Sequence, residues 1–158
     1  MFDYSGPRPR FVDFIATFEQ HCEGRVPALL GRLEMSDTAM PVAIDIKPNS
    51  SDNVLNLESA GVIPVAILSS ATFDATTVDP TTVTLAGAKV RLLGKATHGS
   101  CGPDDVNGDG VMDLVCHVET AALFILPGDS VAVLEATTFS GDAIRGQDSI
   151  RIVKEKEF

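Results

Sequence analysis

Residues 105 to 113 read Asp-Val-Asn-Gly-Asp-Gly-Val-Met-Asp, with oxygen-bearing side chains at positions 1, 3, 5 and 9 and glycine at 4 and 6. This is the front of the calcium-loop pattern D-x-[DN]-x-[DN]-G. Calcium takes hard oxygen ligands, and a tightly curled loop supplies them from alternate residues. The spacing predicts Asp105, Asn107 and Asp109 as side-chain ligands, the backbone carbonyl of Val111 as a fourth, and Asp113 as the closing carboxylate. Gly110 permits the turn that brings the Val111 carbonyl inward. The Asp105, Asp109 and Asp113 carboxylates, crowded into nine residues, repel one another unless a cation neutralises them. Calcium is therefore the expected cofactor. An EF-hand closes with a bidentate Glu at position 12, where this chain has Cys116 followed by strand-like residues. The loop is accordingly read as a shorter Asp-x-Asn-x-Asp-Gly-x-x-Asp clip.

No catalytic constellation accompanies it. His117 lies four residues beyond the loop, but His98 and His21 stand at no ligand spacing from it. No serine occupies a Gly-x-Ser-x-Gly elbow, and no Cys–His pairing is readable from spacing. Asp74 and Asp79 are a conceivable carboxylate pair for glycoside hydrolysis, yet capping and turn roles account for both. The expectation is a protein that is not an enzyme. Cys101 and Cys116 bracket the loop and could pair in an oxidising compartment or stay as free thiols. With Cys22 they make an odd number and no C-x-x-C, so zinc is not suggested.

The elements that must position this loop read as β. After Pro41, residues 42–46 alternate and 47–53 are dense in turn formers. Residues 54–57 form a short strand, and 62–68 a strand apolar on both faces. Pro64 lacks an amide donor, which places that strand at an edge or a bulge. Asp74 caps a helical turn, Asp79-Pro80 turns the chain, and 81–85 and 88–93 resume β. Residues 114–118, 131–136 and 149–153 complete seven to nine short strands, with turns at 127–129 and 140–142. Short strands at this interval, broken by Gly, Pro and Asp, predict a mainly β chain: an antiparallel β-sandwich, Ig-like or similar.

Ahead of it, Phe11, Phe14, Ile15, Phe18 and Cys22 fall at i, i+3, i+4, i+7 and i+11, the pattern of one helix face. The prediction is a short N-terminal helical segment whose Phe11, Phe14, Ile15 and Phe18 either pack on the sandwich or bind a partner, including a second copy. The expected organisation is 1–40 helical segment and linker, 41–154 calcium-binding β-sandwich, and 155–158 a tail.

Composition limits the partners. The 158 residues carry 12 basic and 22 acidic side chains, net −10, which disfavours nucleic acid and anionic membranes and favours cations. No apolar stretch approaches the roughly 18 residues of a membrane span. The first residues, Met-Phe-Asp-Tyr, lack the basic start and apolar stretch of a secretory signal.

Several motifs in fixed order carry a resemblance: Ile44-Asp-Ile-Lys-Pro48, Leu55-Asn-Leu57, Gly61-Val-Ile-Pro-Val-Ala-Ile-Leu68, Val78-Asp-Pro80, the 105–113 loop with its following Leu-Val-Cys-His, and Gln147-Asp-Ser-Ile-Arg-Ile152. Over residues 42–153 the chain resembles an uncharacterised β-rich module that recurs in secreted multidomain proteins of bacteria and archaea. That resemblance implies an extracellular or cell-surface location, and architecture more than activity. The expected function is a calcium-stabilised structural, adhesive or assembly module. The alternative is a carbohydrate-binding module beside a secreted enzyme, which the absence of Trp and the single Tyr weaken.

Overall fold

A computed structural model describes residues 13–20, 29–36, 38–91 and 100–153. The chain divides into two compact units, 1–38 and 39–158.

In the first unit, β1 (Asp13–Gln20) and β2 (Leu29–Ser36) form an antiparallel hairpin, registered from Asp13↔Ser36 to Gln20↔Leu29. The helix expected from Phe11 to Cys22 is thus replaced by a strand over 13–20. The reason lies in the spacing. Phe14 and Phe18 are four apart, an interval that fits the helical period and the strand period of two equally well. Ile15 falls on the other register parity, so the four-residue helix face does not exist along β1. Phe11 and Cys22 lie outside the described residues, as does the tail at 155–158.

The second unit is mainly β. Its strands are β3 (Met40–Pro41), β4 (Ile44–Ile46), β5 (Val54–Asn56), β6 (Val62–Ile67), β7 (Thr84–Leu85), β8 (Ala88–Lys89), β9 (Cys101–Asp104), β10 (Asp113–Glu119), β11 (Val131–Thr137), β12 (Ala143–Ser149) and β13 (Arg151–Val153). One sheet has the order β4-β6-β10-β9 and another β3-β12-β11-β7-β8, while β5 and β13 pair in parallel. Both larger sheets feed a single apolar core, with Ile46, Val65, Ile67, Leu85, Val118 and Leu134 fully buried. The arrangement is sandwich-like. The pattern along β11 is the simplest case: Ala132, Leu134 and Ala136 are buried while Val131 and Glu135 are exposed, the period-two signature of a strand with one covered face.

Two local features explain how the sheets are joined. β3 pairs in parallel with β12, and the chain then crosses to β4 in the other sheet, with Val42 N donating to Arg145 O at 2.9 Å. The crossing is close because position 146 is glycine. A Cβ there would lie 2.6 Å from Ile44 Cγ2 and 2.8 Å from Val42 O.

Pro64 sits in β6, between β4 and β10, and not on an edge strand. Its carbonyl accepts from Lys47 N at 2.8 Å, where β4 has already ended and Lys47 turns at φ +53. N and O of an extended residue point to the same side, so the missing donor faces past the end of β4. The strand is central and not at an edge, and the missing donor falls where the pairing with β4 has ended.

Candidate metal centre

β9 and β10 pair antiparallel, with Cys101↔Cys116, Gly102↔Val115, Pro103↔Leu114 and Asp104↔Asp113 in register. Residues 105–112 are therefore the loop of a hairpin, closed at its neck by the 104–113 pair. Three residues beyond the neck the strands are joined covalently: Cys101 and Cys116 form a disulfide with Cα atoms 4.0 Å apart.

Inside the loop, Asp105 is the organising residue. Its Oδ1 accepts from Gly108 N at 2.8 Å and Asp109 N at 3.1 Å, and its Oδ2 from Gly110 N at 2.8 Å. Gly108 and Gly110 have φ of +74 and +86, and a Cβ at either would meet nothing within 4 Å. Glycine is needed there for the left-handed backbone and not for space. Asn107 Oδ1 accepts from Asp109 N at 3.0 Å, and Asn107 Nδ2 donates to Asp109 Oδ2 at 3.0 Å. Asp109 Oδ1 accepts from Val111 N at 2.8 Å. The structure thus brings Asp105, Asn107, Asp109 and Val111 into one curl, with Asn107 and Asp109 exposed at its mouth.

Asp113 takes a different position. It is fully buried, and its Oδ1 accepts from Ser69 N at 2.8 Å while Oδ2 accepts from Val106 N at 3.2 Å. Ser69 Oγ donates to Met112 O at 2.7 Å and accepts from Ala75 N at 2.9 Å. Asp113 and Ser69 together fasten the C-terminal end of the loop to the segment that leaves β6. Among the described residues no cationic side chain pairs with Asp113. Ser69 escaped the sequence reading because its partner is 44 residues away and nothing local marks it.

Among the described residues no three Asp, Glu, His or Cys side chains are grouped for a metal ion. The loop's carboxylates are turned to backbone amides, and its further oxygens belong to Asn107 and a peptide carbonyl. The donor set is nevertheless all oxygen, which fits a hard divalent cation and not zinc or copper.

The other candidates resolve into local roles. Asp74 Oδ1 accepts from Thr76 N at 2.9 Å and Thr76 Oγ1 at 2.6 Å, capping the 3-10 turn Ala75–Thr77. The Thr76 side chain first, and its amide second, hold the Asp74 carboxyl below its ordinary range. Asp79 caps Pro80–Thr82 in the same way through Thr81. His117 is half-buried on β10, with Nδ1 3.4 Å from Ser100 Oγ and 3.3 Å from Ser100 O. Phe14, Ile15 and Phe18 all lie on β1, in the separate hairpin unit.

A second polar node was not visible in the sequence. Asp148 Oδ2 accepts from Ile46 N and from Asn53 Nδ2, each at 2.9 Å, and Asn53 Nδ2 also donates to Ser149 O at 2.8 Å. Asn53 holds φ +43, and its buried Oδ1 has no hydrogen-bond partner. The node ties β4, β12 and the turn before β5 together. Burial first, and the charge of Asp148 second, push the Asp45 carboxyl above its ordinary range.

Comparison of the chain with protein-family models, with curated proteins and with solved structures finds no match. No helix among the described residues is long and apolar enough to cross a membrane.

Proposed function

We propose that this protein is a non-catalytic, calcium-stabilised structural, adhesive or assembly module that works outside the cell. The observation that supports the reading is the curl of residues 105–113, in which Asp105 gathers the amides of Gly108, Asp109 and Gly110, and Asn107 and Asp109 bond each other beside it. Asp105, Asn107, Asp109 and the Val111 carbonyl would hold the ion, with Asp113 at the base of the loop. The ion would supply charge neutralisation and rigidity, with no chemical step.

Two further observations support it. The Cys101–Cys116 disulfide suits an oxidising compartment. The resemblance to a secreted β-rich module points the same way. Sites of this class in extracellular proteins bind at about 10⁻⁴–10⁻³ M.

The carbohydrate-binding alternative draws on two aromatics exposed among the described residues, Phe124 at 70% and Phe139 at 71% exposure. Phe124 follows the end of β10, whereas Phe139 donates its amide to Thr77 O beside the start of β10. Single rings at opposite ends of a strand do not make a sugar platform, so this reading stays second.

Isothermal titration with calcium tests the first reading, with a glycan array as the companion measurement. A single ion per chain and no glycan retained is the expected result. Glycan binding with no calcium heat would reverse the order of the two readings.

A further inference from the structure

We propose that the Cys101–Cys116 disulfide sets the cation affinity of the 105–113 loop, so that its reduction releases the ion. The inference rests on the calcium reading above and adds a regulator to that same site.

The two ends of the loop are held differently. The C-terminal end is fastened by Asp113 to Ser69 N, and by Ser69 Oγ to Met112 O. It also enters β10, a central strand paired on both sides. The N-terminal end is held by Val106 N, which donates to Asp113 Oδ2 at 3.2 Å, and otherwise has less. Asp105 follows directly on β9, a four-residue strand that pairs, among the described residues, with β10 alone. Within β9, Pro103 has no amide to donate and Gly102 has no side chain to pack. A Cβ at Gly102 would meet nothing within 4 Å.

Asp104 and Asp113 stand directly opposite at the neck, Asp104 exposed and Asp113 buried. Beside the β9–β10 ladder and the Val106 N–Asp113 Oδ2 hydrogen bond, the disulfide is the covalent tie between the strand that leads into Asp105 and the strand that carries Asp113. It closes a ring across a sequence separation of 15 that contains the whole loop. Opening the ring lets β9 fray and lets Asp105 leave the mouth. The ion then has to order that segment itself, and its affinity falls by the ordering cost.

The chemistry is a two-electron reduction. An external dithiol attacks through its thiolate, the Sγ–Sγ bond breaks, and a mixed disulfide forms. The second thiol of the reagent then displaces the protein thiolate and closes the reagent's own disulfide. Two protons end on Cys101 Sγ and Cys116 Sγ. Cys116 is fully buried and Cys101 half-exposed, so attack falls on Cys101. Coupling is reciprocal, so bound calcium must protect the disulfide by the same free energy by which the disulfide strengthens calcium binding.

The test uses the full chain carrying Cys22→Ser, so that the thiols released come from the pair alone. Calcium titration calorimetry is run on the oxidised protein, on the dithiol-reduced protein, and on Cys101→Ala/Cys116→Ala. Circular dichroism confirms that each remains folded. A loss of affinity on the order of tenfold is expected on reduction. A second readout leaves the pair unsubstituted: the extent of thiol release at equilibrium in a dithiothreitol redox buffer is read with saturating calcium and with chelator, and calcium should lower it. If the oxidised protein binds calcium, but reduction leaves that affinity unchanged and calcium leaves the extent of reduction unchanged, the coupling is refuted while the calcium reading stands. If the oxidised protein takes up no calcium at all, both fail together.

Discussion

Asp113→Ala, measured in chelator, isolates what the buried carboxylate does apart from any ion. The side chain is fully buried and takes one amide on each oxygen, Ser69 N at 2.8 Å and Val106 N at 3.2 Å. Removing it leaves both donors without an acceptor. A buried unpaired amide costs about 1–3 kcal/mol, more at the buried Ser69 than at half-buried Val106, which water can reach. The sum is about 3 kcal/mol. For a chain of this length each kcal/mol moves the melting midpoint by roughly 2–4 °C, so the fall should be roughly 6–12 °C. Asp113→Asn keeps one carbonyl oxygen but presents an NH2 group to the other donor, so it should lose an intermediate amount.

The assay is urea unfolding followed by circular dichroism, read as a change in midpoint at constant slope. A loss below about 0.5 kcal/mol for the alanine variant would show that Asp113 is not the anchor of the loop.

Three further outcomes follow from other parts of the molecule. Gly146→Ala should destabilise by about 1–3 kcal/mol, because the new Cβ has no room against Ile44 Cγ2 and Val42 O; Gly102→Ala, in open space, should stay within about 0.5 kcal/mol in the same unfolding experiment. Asp45→Asn should raise stability at pH 7. The folded carboxyl lies above the ordinary 3.8, so its contribution is full at lower pH and is lost as pH rises through the folded value. The gain from the substitution should therefore shrink as the pH is lowered below the carboxylate range, and a gain independent of pH would contradict the cause assigned. Asp109→Ala should fold normally and lose the response of the melting temperature to calcium, since Asp109 is exposed and its carboxylate accepts from Val111 N and Asn107 Nδ2, both within the loop.

Much of the β unit was legible in the sequence because its signals are local. Asp74 and Asp79 announce short turns, and both cap one. Residues 62–68 and 131–136 read as strands through apolar content and alternation, and β6 and β11 lie there. The Asp-x-Asn-x-Asp-Gly spacing located a curl whose internal hydrogen bonds are all between near neighbours.

What failed was long-range. β12 was hidden because its second inward position after Ile144 is Gly146, buried against β4 with no side chain to show an apolar alternation. The β1–β2 hairpin was misread as a helix because four-residue spacing is common to both periods, and the strand pairing that decides the matter is not a local property. Asp113 was expected only as a ligand, and its bond to Ser69 spans 44 residues. Cys101 and Cys116 bracketed the loop in sequence, but only the register of β9 on β10 sets them directly opposite.

The central claim is that the 105–113 loop holds calcium and that the ion stabilises the fold. At about 1 mM calcium and a dissociation constant of about 0.1 mM, linkage adds roughly 1.4 kcal/mol. Thermal unfolding of the full chain with 1 mM calcium and with chelator, about 3–6 °C apart by that figure, is the most direct measurement. A calcium-dependent rise that chelator abolishes and Asp109→Ala suppresses is the predicted result. Coincident melting curves would contradict the account.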